Sequence, residues 1–263
     1  DTVSIARQFT AHIYHHKSVG YVEPVRNFAI SKATGEWILI VDADEEIPET
    51  LATKLQSLAE ETNSATHVFL PRKNIIFGKW IQHTGWWPDH LIRFFQKGKV
   101  IWKNEIHSVP QVVGDSLILD GESHAILHHH YQTIKQFIHK NFEYYAPQEA
   151  KEMLANGYTF SYADAIKLPS KEFLSRYFAR EGYKDGFHGL MLSLLMSIYH
   201  FVLFLNLWEE NKFKQLDTAK LSQTLSPQMR STQKEIFYWI HKRQIDTAQS
   251  PLKKLFLKLK RKI

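Results

Sequence analysis

Five apolar residues in succession, Trp37 to Val41, run straight into Asp-Ala-Asp and two further glutamates, within GEWILIVDADEEIPETL over residues 35–51. A continuous apolar strand suits the buried middle of a parallel sheet. A strand that ends in alternating carboxylates is poor at building a core, but it suits holding a divalent cation at its C-terminal edge. On an extended backbone, side chains two positions apart point to the same side, so Asp42 and Asp44 would share one Mg²⁺ or Mn²⁺, directly or through water. Hard cations of this kind in turn bind phosphates.

The elements around this stretch alternate. Val25, Phe28, Ala29, Ile30 and Ala33 follow a helical period, and Gly35 is placed to cap that helix. Pro48 can open another, in which Leu51, Leu55 and Leu58 recur at spacings of four and three. THVFLPRKNIIF then reads as strand and turn. This is βαβ logic, an α/β fold class with functional groups expected beyond the carboxyl ends of the strands. The opening, DTVSIARQFTAHIYHH, reads as a helix over 2–9 feeding a short strand, a start in the middle of a βα unit. From Trp80 to Val113 aromatic residues crowd between short β-like runs, as in a substrate-facing meander. Residues 131–156 read as one long helix rich in Lys, Phe and Tyr.

The C-terminal half changes character. Phe187 to Trp208 is 22 residues without an Asp, Glu, Lys or Arg, enough to span a bilayer core of roughly 20 residues. Two His, two Ser and an Asn lie within it, so an interfacial helix or an apolar core helix stays open beside a span. At the end, Leu252, Leu255, Phe256, Leu259 and Ile263 share one helical face with lysines around the rest, the pattern of a helix on an anionic membrane surface; a solvated basic tail is the alternative. The last 14 residues hold six Lys/Arg and no acid, within a net charge of +6. Such an end points to an anionic partner, membrane headgroups or nucleic acid. The basic charge is concentrated at the end with no aromatic–basic binding module, which argues against nucleic acid. The absence of cysteine excludes a disulfide framework, a zinc ribbon and a thiol nucleophile. The organisation expected is a catalytic domain over 1–130, a helical region over 131–215 with its apolar segment at 187–208, and a basic amphipathic tail over 216–263.

RNFAISKATGEWILIVDADEEIPETL resembles the central motif of family-2 glycosyltransferases of the GT-A fold, above all bacterial enzymes that build lipopolysaccharide core or similar lipid-linked glycans. The resemblance extends through WWPDHLIRFFQKGKVIWKNEIHSVP, the helix after HHHYQT and the segment GYKDGFHGLMLSLLMSIYHF. It implies a GT-A-type, Rossmann-like sheet followed by a mostly helical, membrane-associating region. It also implies that a first strand with nucleotide-contacting residues and a second strand ending in aspartate precede a helix like DTVSIA, roughly 35 to 40 residues not present here.

The activity implied is sugar transfer from a nucleotide-sugar donor, a UDP-sugar first, with inversion, to a lipid-linked glycan at the cytoplasmic face of the bacterial inner membrane. Asp42 and Asp44 would serve the metal, with His128 as a further ligand that matches the family's recurrent His before the helix. Arg26 could reach a phosphate or brace the acidic loop, and Arg93 could pair with the diphosphate or with Asp89. Inverting transfer needs one general base near the acceptor hydroxyl. Asp89, after two Trp and a Pro, is the first candidate and Glu105 the second. Relatives usually read His-Glu where this chain has His107 and Ser108, so any acid role there is lost, and His107 remains as a hydroxyl or phosphate partner.

Two other classes compete. Haloacid-dehalogenase-type phosphatases also place Asp-x-Asp after an apolar strand, but want Thr or Val two residues on, where this chain has Glu46. A non-catalytic, membrane-bound glycan-binding or scaffold protein would share the basic tail and the aromatic segment. Metal-dependent nucleotide-sugar binding separates it from the enzyme.

Overall fold

The computed structural model describes residues 2–17, 23–61, 64–102 and 109–260. Two compact units divide the chain: Asp1–Lys73 with Pro88–His128, and Asn74–Trp87 with His129–Ile263. The expected first domain ran unbroken to residue 130, whereas 74–87 falls in the second unit. Local bonding explains it. Asn74 Nδ2 donates to the Trp86 carbonyl at 2.7 Å and Ile81 N–H donates to the Asn74 carbonyl at 3.0 Å, closing the excursion on itself. Ile76 and Ile81, both fully buried, then join the second unit's apolar core.

In chain order, the first unit contains α1 (Thr2–Ala6), α2 (Glu23–Lys32), β1 (Trp37–Leu39), β2 (Glu45–Glu46), α3 (Glu49–Glu60) and β3 (Ala65–Leu70). After β4 (Arg72–Ile76) and β5 (Lys79–Trp80) come β6 (Leu91–Gln96), β7 (Val100–Ile101), β8 (Gln111–Val112), β9 (Asp115–Ile118) and β10 (Ile126–Tyr131). β4 and β10 each run from one unit into the other. The main sheet has the order β1-β6-β3-β9. β6 pairs antiparallel with both β1 and β3, and only the β3–β9 pair is parallel.

Leu51, Leu55 and Leu58 of α3 are buried as their spacing predicts, against Val68, Leu70, Phe94, Leu119 and Ile126. Phe69, between Val68 and Leu70, packs instead on a second cluster of Ile38, Ile92, Phe95, Val100 and Trp102, the alternation that a strand's period of two imposes. Three expectations are revised. β1 is three residues long and, among the described residues, an edge strand hydrogen-bonded to β6, so Leu39 and Val41 stay 37% and 44% exposed. Gly35 does not take the left-handed conformation of a helix cap, since α2 ends earlier, at Lys32. The opening helix stops at Ala6, and residues 11–17 form no strand. With no buried residue, so short a helix has no packing to extend it.

The second unit is helical beyond β10. Thr133 opens the long helix with a capping box to Gln136, a reciprocal pair that satisfies two otherwise orphaned donors. α4 (Ile134–Ile138), a π-helical stretch (His139–Tyr145) and α5 (Ala146–Ala155) continue it. There follow α6 (Asp164–Leu174), α7 (Phe187–Glu210), α8 (Thr218–Thr247) and α9 (Pro251–Lys260). Leu192, Met196, Tyr199, Leu203 and Leu207 of α7 form a buried stripe with Phe137, Ala146 and Ala150. Gly189 lets α7 approach the backbone before it, because a Cβ there would lie 1.8 Å from the Gly182 carbonyl oxygen. Gly189→Ala is expected to lower stability by about 3 kcal/mol through overpacking, read as a lower urea midpoint; an unchanged midpoint would show that the contact yields freely.

Candidate active site

β1 delivers the chain to a turn. Ile40 N–H is still held by the Arg93 carbonyl at 2.8 Å, and then Glu45 N–H donates to the Asp42 carbonyl at 2.9 Å. The Glu45 carboxylate closes the loop by accepting from Asp42 N–H at 3.0 Å. Asp-Ala-Asp-Glu is therefore a β-turn, with Ala43 and Asp44 at its centre, and not an extended end of the strand. Asp at the first position favours this outcome.

The turn changes what the two aspartates can do. Asp42 Oδ2 accepts from Arg26 at 3.2 Å and from Arg93 at 2.5 Å. Asp44 Oδ2 lies 3.5 Å from His128 Nε2, a neighbour supplied by the β2–β10 ladder, in which His128 pairs with Glu45. Among the described residues, no group of three or more His, Asp or Glu is arranged to hold a metal ion. Asp42, Asp44 and His128 are thus not gathered into one three-ligand cluster. The Asp44 carboxylate is 44% exposed, with His128 5% exposed behind it. A carboxylate and an imidazole are a partial donor set that Mg²⁺ or Mn²⁺ can complete with water and phosphate oxygens.

Behind the turn runs a ladder of charges. The Glu45 side chain is wholly buried and accepts from Arg93 Nη2 at 2.7 Å, with Arg72 Nη1 at 3.5 Å. Arg72 then reaches Asp89, its Nε and Nη2 donating to Oδ2 at 3.0 and 2.7 Å. Asp89 itself sits at φ 45°, a left-handed backbone that costs about 1 kcal/mol or more for a residue with a side chain. Arginines 26, 72 and 93 thus link the acidic turn to the candidate base through Asp42, Glu45 and Asp89. The guanidinium of Arg93 is 2% exposed and its Nε has no hydrogen-bond partner among the described residues, so the two carboxylates must offset its desolvation.

Several expected partners differ. Arg93 meets Asp42 and Glu45 in place of Asp89, because Asp89 precedes β6 in a left-handed turn while Arg93 lies within the strand. Arg26 takes its bracing alternative, on Asp42. Its neighbour Asn27 clamps the backbone of Trp102 in both directions, at 2.7 and 3.2 Å. Glu105, His107 and Ser108 lie outside the described residues. Sequence reading passed over Glu45 and Arg72. For Glu45 a signal existed, since two successive glutamates in a strand must place one of them inward. For Arg72 none did, because nothing local ties it to an aspartate 17 residues away.

The α/β unit thus carries an acidic turn at the end of a strand and a second carboxylate, Asp89, linked to it through Arg72 and Glu45. Residues 1–112 match the family model described as Glycosyl transferase family 2, a region that holds every site residue above except His128. The chain's relatives include an uncharacterized glycosyltransferase of Rickettsia typhi, 24% identical over 77% of this chain and 72% of its own length. Another, of Rickettsia prowazekii, is 25% identical over 77% of this chain and 72% of its own length.

Proposed function

We propose that the chain is an inverting, metal-dependent glycosyltransferase that moves a sugar from a nucleoside diphosphate, UDP first, to a lipid-linked or lipopolysaccharide-type glycan at the cytoplasmic face of the inner membrane. The observation that carries this reading is the exposed Asp44 carboxylate beside His128, on a turn that the arginine ladder connects to Asp89. Asp44 and His128 would hold Mg²⁺ or Mn²⁺, which when bound neutralises the charge developing on the departing diphosphate. Ala43, small and central in the turn, leaves room for the donor to lie close. Asp42, Arg26, Arg93 and Glu45 keep the turn in shape.

Asp89 takes the proton of the acceptor hydroxyl as that oxygen forms its bond to the anomeric carbon and the bond to the diphosphate breaks. A single displacement with one base inverts the centre. The lipid-linked acceptor is supported by the apolar and basic C-terminal half, which would hold the enzyme where such acceptors lie.

The test is binding of UDP-, GDP- and dTDP-sugars by calorimetry, with and without Mn²⁺, to the chain and to Asp44→Asn. Binding to one nucleotide that needs the metal and weakens at least about tenfold in the variant is the expected result. Binding indifferent to both metal and Asp44 would overturn the reading.

A further inference from the structure

The apolar helix α7 has two faces. Between Gly189 and Trp208 its exposed residues are Leu194, Ile198, Phe201 and Leu205, all large and apolar, at 40%, 47%, 42% and 38% exposure. Their spacing of four, three and four makes a single stripe roughly 17 Å long. The rest of the helix is committed elsewhere. Near its midpoint, Tyr199 donates its hydroxyl hydrogen bond to Glu149 of α5, and burial followed by that bond raises the phenol's pKa. Ser197 donates to the Pro169 carbonyl of α6 at 2.8 Å, and His200 Nε2 lies 3.5 Å from Glu172 of the same helix.

These contacts bear on whether α7 can cross a bilayer. A transbilayer α7 would carry Glu149, Glu172 and the Arg176 paired with Glu172 to the depth of the hydrocarbon centre, and intramembrane charges are costly there. A helix that keeps one face on α5 and α6 and offers the other, uncharged, to its surroundings avoids that cost by lying in the interface. The charge of the chain selects the surface. Residues 187–263 carry 13 Lys/Arg against five Asp/Glu, so the whole positive excess of the protein lies there. α9 adds Leu252, Leu255 and Phe256 at 80%, 57% and 64% exposure, with Lys253 and Lys254 exposed beside them. One apolar insertion and one polybasic segment are the two signals that together give stable membrane attachment.

We infer that α7 does not span the membrane and that the stripe Leu194, Ile198, Phe201 and Leu205 is a shallow insertion edge for an anionic lipid surface, acting together with α9. The inference rests on the membrane attachment proposed above, and the experiment separates the two. The purified 263-residue chain is sedimented with vesicles of pure phosphatidylcholine and of equimolar phosphatidylglycerol and phosphatidylcholine. The variants are L194S/I198S/F201S/L205S, which alters exposed positions and whose fold circular dichroism verifies, and K253E/K254E.

The expected result is preference for the anionic vesicles, a loss of at least about tenfold in partitioning for each variant, and release of the bound protein by alkaline carbonate. Strong binding that K253E/K254E abolishes and the stripe variant leaves intact would overturn the insertion edge while sparing membrane attachment. Retention through the carbonate wash would overturn it in favour of a span. No binding to either vesicle would sink membrane attachment as well, and a dimer that the stripe variant dissociates would make the stripe an interface between copies.

Discussion

Glu45→Ala is expected to lower folding stability by about 3–5 kcal/mol, the usual cost of removing one partner from a buried ion pair. The carboxylate is wholly buried and accepts from Arg93 at 2.7 Å and from the backbone of Asp42 at 3.0 Å. Without it, the buried Arg93 guanidinium keeps only Asp42, and the turn loses the hydrogen bond that closes it. A typical domain has about 5–15 kcal/mol in all, so the variant should be handled in the cold and its midpoint read by urea titration. Glu45→Gln keeps the shape and an acceptor for Asp42 N–H but not the charge, and should fall between alanine and the parent. A loss under about 1 kcal/mol for alanine would place the pair among surface ion pairs and remove the ladder as the brace of the turn.

For the chemistry, Asp89→Asn should reduce kcat about 10²- to 10⁴-fold, the range that a general base contributes, with little change in nucleotide-sugar binding. Asparagine matches the size of Asp89 and still offers Arg72 an oxygen, so the backbone at φ 45° has reason to persist. Arg72→Lys, which replaces a two-pronged contact by a point charge, should give a smaller loss. Activity within a few-fold of the parent in Asp89→Asn would move the base elsewhere, and Glu105 is the next residue to substitute.

Much of the fold was legible because its signals are local. The leucines of α3, the strand before the acidic turn and the long helix after Tyr131 depend on residues a few positions apart, and the family motif is one short run. What failed also failed for a local reason. Extrapolating β1 through Asp42 overlooked the preference of Asp for turns. Gly35 beside the end of α2 looked like a cap only because composition does not report φ.

The sequence by itself therefore carried the α/β class and the alternation of helices and strands, through periodicity and spacing that any conformation of the neighbouring chain must respect, and a resemblance to family-2 glycosyltransferases through one short motif. Tertiary structure alone decided which charges meet. Arg72 with Asp89, Arg93 with Glu45 and Asp44 with His128 meet across separations that no local pattern encodes, the last through the register of β2 with β10. It decided the character of α7 in the same way. An uncharged run of residues reads alike whether it crosses a bilayer or lies along it, and only the contacts of Ser197, Tyr199 and His200 with α5 and α6 divide that run into a face held by protein and a face left exposed.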